Sequence, residues 1–317
     1  MSRLRKFFSL ITLLLCYFAV HVKAQVFEKI PELHGDSVVF PITLINAFPF
    51  ISATVNGIEG KFMFDTGNHA AIDLNDNLVN LIHKKAKGTG VVGSGQSFTK
   101  NLNDTIREIK FSNGITYRNL EKIPSGNYDF LQQRITQDCI GYIGHNFFKG
   151  YSFKLDYIHR KITFYKNTIE RNISMDFLAN EKVLTVMDFE TRKLPNIPFV
   201  NLKIGKIKVP GAFDTGQYGI LQLEVSSNSL LKNKRLVLPS GPDKDGDTLL
   251  TVKNIVFPGK LKTTLKGVEI SNLENSQIIR NALGITEPNL MTIGYRFFSQ
   301  YKTVWDYDKK KIYILEY

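Results

Sequence analysis

Two stretches, "GKFMFDTGNHA" (Gly60–Ala70) and "PGAFDTGQYGI" (Pro210–Ile220), carry the same tetrapeptide, Phe-Asp-Thr-Gly, at Phe64–Gly67 and Phe213–Gly216. One Asp-Thr-Gly is unremarkable in a chain of this length. Two copies, each led by an apolar run, call for alignment. Residues 49–67 laid over 198–216 match at seven of nineteen positions, at an offset of 149. Residues 143–166 laid over 293–316 match at nine of twenty-four, at an offset of 150. Accidental motifs do not hold a common frame over that distance, so the chain is an internal duplication. The join is expected near the polar "KNTIERNIS" (Lys166–Ser174), giving lobes 25–170 and 171–317.

Each half repeats one order of elements. Alternating strands run into Asp-Thr-Gly, and a Gly-bearing stretch follows, "GTGVVGSGQ" (Gly88–Gln96) or "SGPDKDGD" (Ser240–Asp247). A strand pair turns at Asn-Gly in "IKFSNGITY" (Ile109–Tyr117) or at Pro-Gly in "IVFPGKLKTTL" (Ile255–Leu265). Ile-Gly and Phe-Phe come next, on a short helix, and a last hairpin is expected to close the lobe. Plentiful Ile, Val, Phe, Tyr and Thr with sparse helix patterns predict an all-β chain of two barrel-like lobes and few short helices.

The 317 residues, 43% hydrophobic and 22% charged, suffice for globular cores. Arg3, Arg5 and Lys6 precede the apolar run Phe7–Val20, which is too short to span a bilayer comfortably, and "VKA" ends at Ala24. Residues 1–24 therefore read as a signal peptide, and the product as exported, to the periplasm or beyond the cell. An uncleaved anchor is the other reading, and lipidation at Cys16 is disfavoured by Leu15 before it. Removing Arg3, Arg5, Lys6 and Lys23 takes the formal charge from +12 to +8. The basic residues are dispersed, as on a solvated surface, so no nucleic-acid partner is expected. Cys139 alone remains, which excludes an intrachain disulfide.

Apolar-apolar-Asp-Thr-Gly, a Gly-rich hairpin and apolar-apolar-Gly resemble the signature of the pepsin and retropepsin aspartic proteases. With both motifs in one chain and lobes of retroviral style, the sequence looks like a secreted bacterial retropepsin-like protein, over roughly Phe50 to Tyr317. The resemblance implies an aspartic endopeptidase with a cleft between the lobes, Asp65 and Asp214 as the catalytic pair, no cofactor or metal, a peptide or protein substrate, and a monomer complete in itself, with no membrane span in the mature chain. It assigns Thr66 and Thr215 to cross-lobe hydrogen bonds and Gly67 and Gly216 to the tight loop, with Gly90, Gly93, Ser94 and Gly95 as flap candidates. Two carboxylates brought together share one proton, one activating water while the other donates to the carbonyl.

The departures concern activity. Asn68 and Gln217 stand where the family has Ala, Ser or Thr, and an amide there is expected either to donate to a dyad oxygen or to crowd the water. No Tyr lies between Gly67 and Tyr117, so a Gly-rich flap is expected. Where the retroviral enzymes pair Asp with Arg, this chain has His69 with His145 and Tyr218 with Tyr295, which predicts ring contacts within each lobe, and a first lobe that loosens as pH falls through the low sixes. The alternative function is a secreted, catalytically inactive peptide- or protein-binding protein on the same scaffold. Actin-like ATPases also carry two Asp-x-Gly loops, but His69 and Tyr218 occupy the positions where that fold calls for Ser or Thr. No Gly-x-Ser-x-Gly elbow occurs, and His34, His69, His83, His145 and His159 form no ligand motif.

Overall fold

The computed structural model describes residues 26–81, 83–91, 96–243, 245–271 and 277–317. The expected signal peptide lies outside them, as do Gly93, Ser94 and Gly95 of the expected flap. Strand Phe48–Val55 turns back through Asn56-Gly57, both at positive φ, into Ile58–Phe64, the turn whose twist suits a two-residue hairpin. Ile58–Phe64 pairs in parallel with Cys139–Ile143. That strand pairs with Ile72–Asn75, then Ile123–Gly126, then Ser97–Asn103. After Asp104 and Thr105 the chain continues as Ile106–Phe111, which returns to Phe48–Val55. The second half repeats the circuit as Phe199–Ile204, Ile207–Phe213, Leu290–Ile293, Ile220–Gln222, Lys262–Ile270 and Thr248–Val256, the last pairing with the first. The fold is all-β, two duplicated closed barrels, and the helices among the described residues are short. Among the described residues no helix is long and apolar enough to cross a membrane.

Strand periodicity explains the core. Phe62 and Phe64 are fully buried inside the first barrel. Met63 points the other way, into a separate cluster with Phe48, Phe50, Tyr128, Leu131, Cys139 and Tyr142. The same alternation buries Phe213 in the main core and turns Ala212 into a smaller cluster with Phe199 and Leu290. The position of each Asp, one residue beyond the last core Phe, is thereby fixed on the face that Met63 and Ala212 share.

The last hairpins depart from expectation. Tyr151–Asp156 with Lys161–Lys166, and Lys302–Asp306 with Lys311–Leu315, do not close their own barrels. They pair with each other, Phe153 opposite Trp305 and Leu155 opposite Thr303. Ser37–Pro41 and Val183–Asp188 extend the two edges to make one six-stranded sheet. Phe153 and Trp305 stack across the junction at 5.1 Å. Tyr151–Asp156 is buried throughout, on its Ser152, Lys154 and Asp156 face as well as its Tyr151, Phe153 and Leu155 face, and a strand buried on both sides needs partners at both edges. The neighbouring half supplies the second.

Candidate active site

Each Asp-Thr-Gly loop is held from below by its own lobe's Ile-Gly strand. Asp65 N–H donates to Ile143 O at 2.9 Å and Asp214 N–H to Ile293 O at 3.0 Å. The following glycines are needed there, because a Cβ on Gly144 would collide with the Asn68 and Ala70 carbonyls and one on Gly294 with the Gln217 carbonyl. His145 N–H then donates to Asn68 O at 2.8 Å and Tyr295 N–H to Gln217 O at 2.9 Å. The later motif is thus the clamp for the earlier one, and this is why the two recur at one spacing.

The loops grip each other through their threonines, both buried. Thr66 N–H donates to the Thr215 hydroxyl at 2.9 Å, and Thr215 N–H donates to the Thr66 hydroxyl at 3.1 Å. The Thr215 hydroxyl also donates to Phe64 O at 2.8 Å. Each aspartate lies over the other loop's glycine. A Cβ on Gly67 would stand 2.6 Å from Asp214 Oδ2, and one on Gly216 would stand 2.5 Å from Asp65 Oδ1. Gly67 N–H donates to Asp65 Oδ1 at 2.8 Å and to Asp214 Oδ1 at 3.2 Å, while Gly216 N–H donates to Asp214 Oδ1 at 2.8 Å.

Both carboxyls are half-buried, and a hydrogen bond links them. Asp65 is pushed well above the ordinary carboxylate range, first by burial, then by the adjacent charge of Asp214 and the hydrogen bond to it. Burial raises Asp214 as well, opposed by Gly216 N–H, the bond from Asp65 and Gly67 N–H. Both shifts favour a proton on the pair, and Asp65 is the member pushed further.

The flanking residues divide. The Asn68 side chain turns away from the dyad. Its Nδ2 donates to Asp73 Oδ2 at 3.4 Å and its Oδ1 accepts from Ala70 N–H at 2.9 Å. Only its backbone N–H reaches Asp65. Thus the expected amide-to-dyad bond is not made. Gln217 is half-buried and contributes its carbonyl to the clamp. His69 and His145 lie 6.3 Å apart with nearly parallel rings, as expected. Tyr218 and Tyr295 do not pair. Tyr218 packs on Phe48 at 4.6 Å, and Tyr295 on Tyr157 at 5.9 Å. His145 in turn meets Tyr307 at 4.4 Å. Residues 157 and 307 are repeat mates, so each short helix sends its ring to the same tyrosine position of the opposite lobe. Gly90 sits on Lys84–Val91, opposite Phe98 on Ser97–Asn103, so the first Gly-rich stretch does belong to a hairpin. Of the second, Val237–Pro242 pairs with Thr248–Val256, and Asp245, Gly246 and Asp247 before the second strand are exposed.

Sequence reading missed Asn196. It is fully buried, and its Nδ2 donates to Thr66 O at 2.9 Å and Gly67 O at 2.8 Å. Tyr307 hydroxyl donates to its carbonyl at 3.0 Å. At the repeat offset of 149 the first half has Ala47, two residues outside the aligned window. The only available signal was a difference between the halves, which a search for identities passes over.

No protein-family model matches the chain, and no curated protein matches it. Solved structures do. The aspartic proteinase from Irpex lacteus matches with a TM-score of 0.53 at 12% identity, covering 88% of this chain and 97% of that one. Basic 7S globulin from soybean matches at 0.52 and 9%, covering 88% and 95%. Conglutin gamma, a basic 7S globulin from lupine seeds, matches at 0.51 and 10%, covering 89% and 95%. At such identities the likeness is one of fold, and the fold is pepsin-like.

Proposed function

We propose that the protein is an aspartic endopeptidase, complete in one chain, with Asp65 and Asp214 as its catalytic pair. The observation that carries this reading is the seating of each carboxyl on the other loop's glycine, in contact with its partner carboxyl. Asp214, the member whose charge three hydrogen bonds favour, takes a proton from a water placed between the carboxyls. Asp65, the member that burial and its neighbour keep protonated, donates to the carbonyl oxygen of the scissile amide. A tetrahedral diol forms, the proton passes to the leaving nitrogen, and the bond breaks with no covalent intermediate. Gly90 and its hairpin, with Gly93, Ser94 and Gly95 beyond the described residues, are the part we assign to covering the peptide.

Asp65→Asn and Asp214→Asn each are expected to lower turnover of a peptide library by about 10²–10⁴-fold, the usual worth of a positioned acid or base. Unchanged turnover in either variant sinks the assignment. Two of the three solved structures named above are globulins, so a peptide-binding protein without hydrolysis is the second reading. It predicts binding by the unsubstituted protein with no cleavage at any pH. We also place the activity outside the cytoplasm, on the strength of residues 1–24. N-terminal sequencing of the exported protein should start at Gln25, and retention of Met1 in that protein would count against cleavage.

A further inference from the structure

Asp73 has no part in the scheme above, yet it lies beside it. Ile72 and Leu74 are core residues, so alternation turns Asp73 to the face that carries Met63 and Asp65. Its strand partner there is Tyr142. The charges of Asp65, Asp73 and Asp214 all oppose ionisation of the Tyr142 hydroxyl, which places one ring within reach of the three carboxyls. Asn68 follows the catalytic loop directly and touches Asp73 with its amide. The surroundings are aromatic. Tyr128 packs on Tyr142 at 5.2 Å and on Phe98 at 4.8 Å, Phe98 riding on the hairpin that carries Gly90.

In that setting the carboxylate is under-supplied. Asp73 Oδ1 is buried without a hydrogen-bond partner. Tyr128 and Asn68 favour its charge, but burial outweighs them and pushes it up to about 6, so at pH 7 it is ionised. Lys100 is exposed and acts on it only at a distance, while the Asp76 charge opposes its ionisation; among the described residues no cation is its ion-pair partner. A buried charge left so costs stability and persists where something external uses it. The other half carries no acid here: opposite Thr292, the repeat mate of Tyr142, stands the apolar Ile220. Gln222, whose Oε1 accepts from Arg280 at 2.9 Å, corresponds instead to Asn75, whose Nδ2 donates to Gln132 Oε1 at 3.0 Å.

We propose that Asp73 is a specificity-determining residue, whose carboxylate receives a cationic side chain of the substrate, lysine or arginine, seated beside Asp65 against the Tyr128, Tyr142 and Phe98 rings. The cation supplies the partner that Asp73 Oδ1 lacks, and Tyr128, Tyr142 and Phe98 pack its aliphatic stem. The inference rests on the hydrolytic reading for its substrate but is tested apart from it, by binding. The Asp214→Asn protein is titrated at pH 7 with short peptides that are alike except for one lysine moved through each position, each with a norleucine counterpart. At one position lysine should bind about 10–100-fold more tightly than norleucine, the worth of one charge-assisted bond. Adding Asp73→Asn should abolish that gain and leave norleucine binding within about threefold, while Asp73→Glu keeps part of it. Lysine and norleucine binding alike at every position overturns the proposal, and needs no Asp73 variant to fold. So does a lysine preference that arises only in Lys100→Ala, which would make Lys100 the partner of Asp73. Cleavage by the unsubstituted protein without lysine preference sinks this inference alone. Lysine-dependent binding without hydrolysis sinks the hydrolytic reading alone.

Discussion

The two Asp-Thr-Gly loops are alike at their floor and unlike at their rims. Backbone clamps, threonine grip and crossed glycines recur in both. Beyond Gly67 and Gly216 the likeness stops. Asn196 binds the first loop's carbonyls where its repeat mate is Ala47, and Asp73 faces Asn68 where the second half has the apolar Ile220. A shared proton requires two carboxyls brought into contact by matched backbones, which constrains the floor to symmetry. Division into donor and acceptor requires unequal surroundings, which only the rims are free to provide.

The grip is the place to break that equivalence. The Thr215 hydroxyl serves two buried partners, accepting from Thr66 N–H and donating to Phe64 O, whereas the Thr66 hydroxyl accepts from Thr215 N–H at 3.1 Å. Thr215→Val leaves a buried N–H and a buried C=O unpaired, and should cost about 2–4 kcal/mol in urea unfolding. Thr66→Val should cost about 1–2 kcal/mol. Equal costs, or the reverse order, would show that the two threonines are interchangeable and the grip symmetric.

Asn196→Ala probes the rim from the other side. It releases Thr66 O and Gly67 O, both close to the dyad, and should lower stability by about 1–3 kcal/mol. Because Gly67 N–H bonds both carboxyls, the pH profile of any hydrolysis should shift as well. Loss of stability with an unmoved profile would confine Asn196 to holding the loop.

Most of the floor was legible because it repeats. Phe64–Gly67 recurs at Phe213–Gly216, and Ile-Gly follows at a matched distance because the backbone of one motif must touch the other without a Cβ between. What was not legible is what differs or crosses. The hairpins' pairing with each other depends on which edge lies nearest in space, and nothing in "YSFKLDY" distinguishes its own barrel from the other. Asn68 was expected at the dyad from its place in the chain, but Asp73, five residues on and back beside it through strand geometry, takes its amide. Tyr218 found Phe48 and Tyr295 found Tyr157 for the same reason. A pairing inferred from a family's ion pair holds only while no better partner lies across the interface.

The smallest effect expected is that of His145, and it sharpens the contrast between His69–His145 and the tyrosines. Burial, then the neighbouring His69, push the imidazole down to about 4, with Asp308 opposing and Lys149 assisting. The ring sits between Phe148 and Tyr307, at 5.3 and 4.4 Å, and its Nδ1 has no partner. An unfolded histidine titrates near 6.5, so between about 6.5 and 4 the unfolded chain binds the extra proton and stability falls with pH. The window therefore opens where a free histidine titrates and extends two units below the low sixes expected from the sequence. The dyad works in the opposite sense, since carboxyls raised in the folded state bind protons there and favour folding as pH falls. The difference between His145→Phe and the unsubstituted protein cancels that shared term. Solvent screening at a half-buried ring reduces the effect to about 1 kcal/mol. Urea midpoints measured from pH 7 to 4 should diverge by about that amount, with the variant the less acid-sensitive. Parallel curves would mean that the ring already finds an acceptor in Asp308 and carries its proton at no cost.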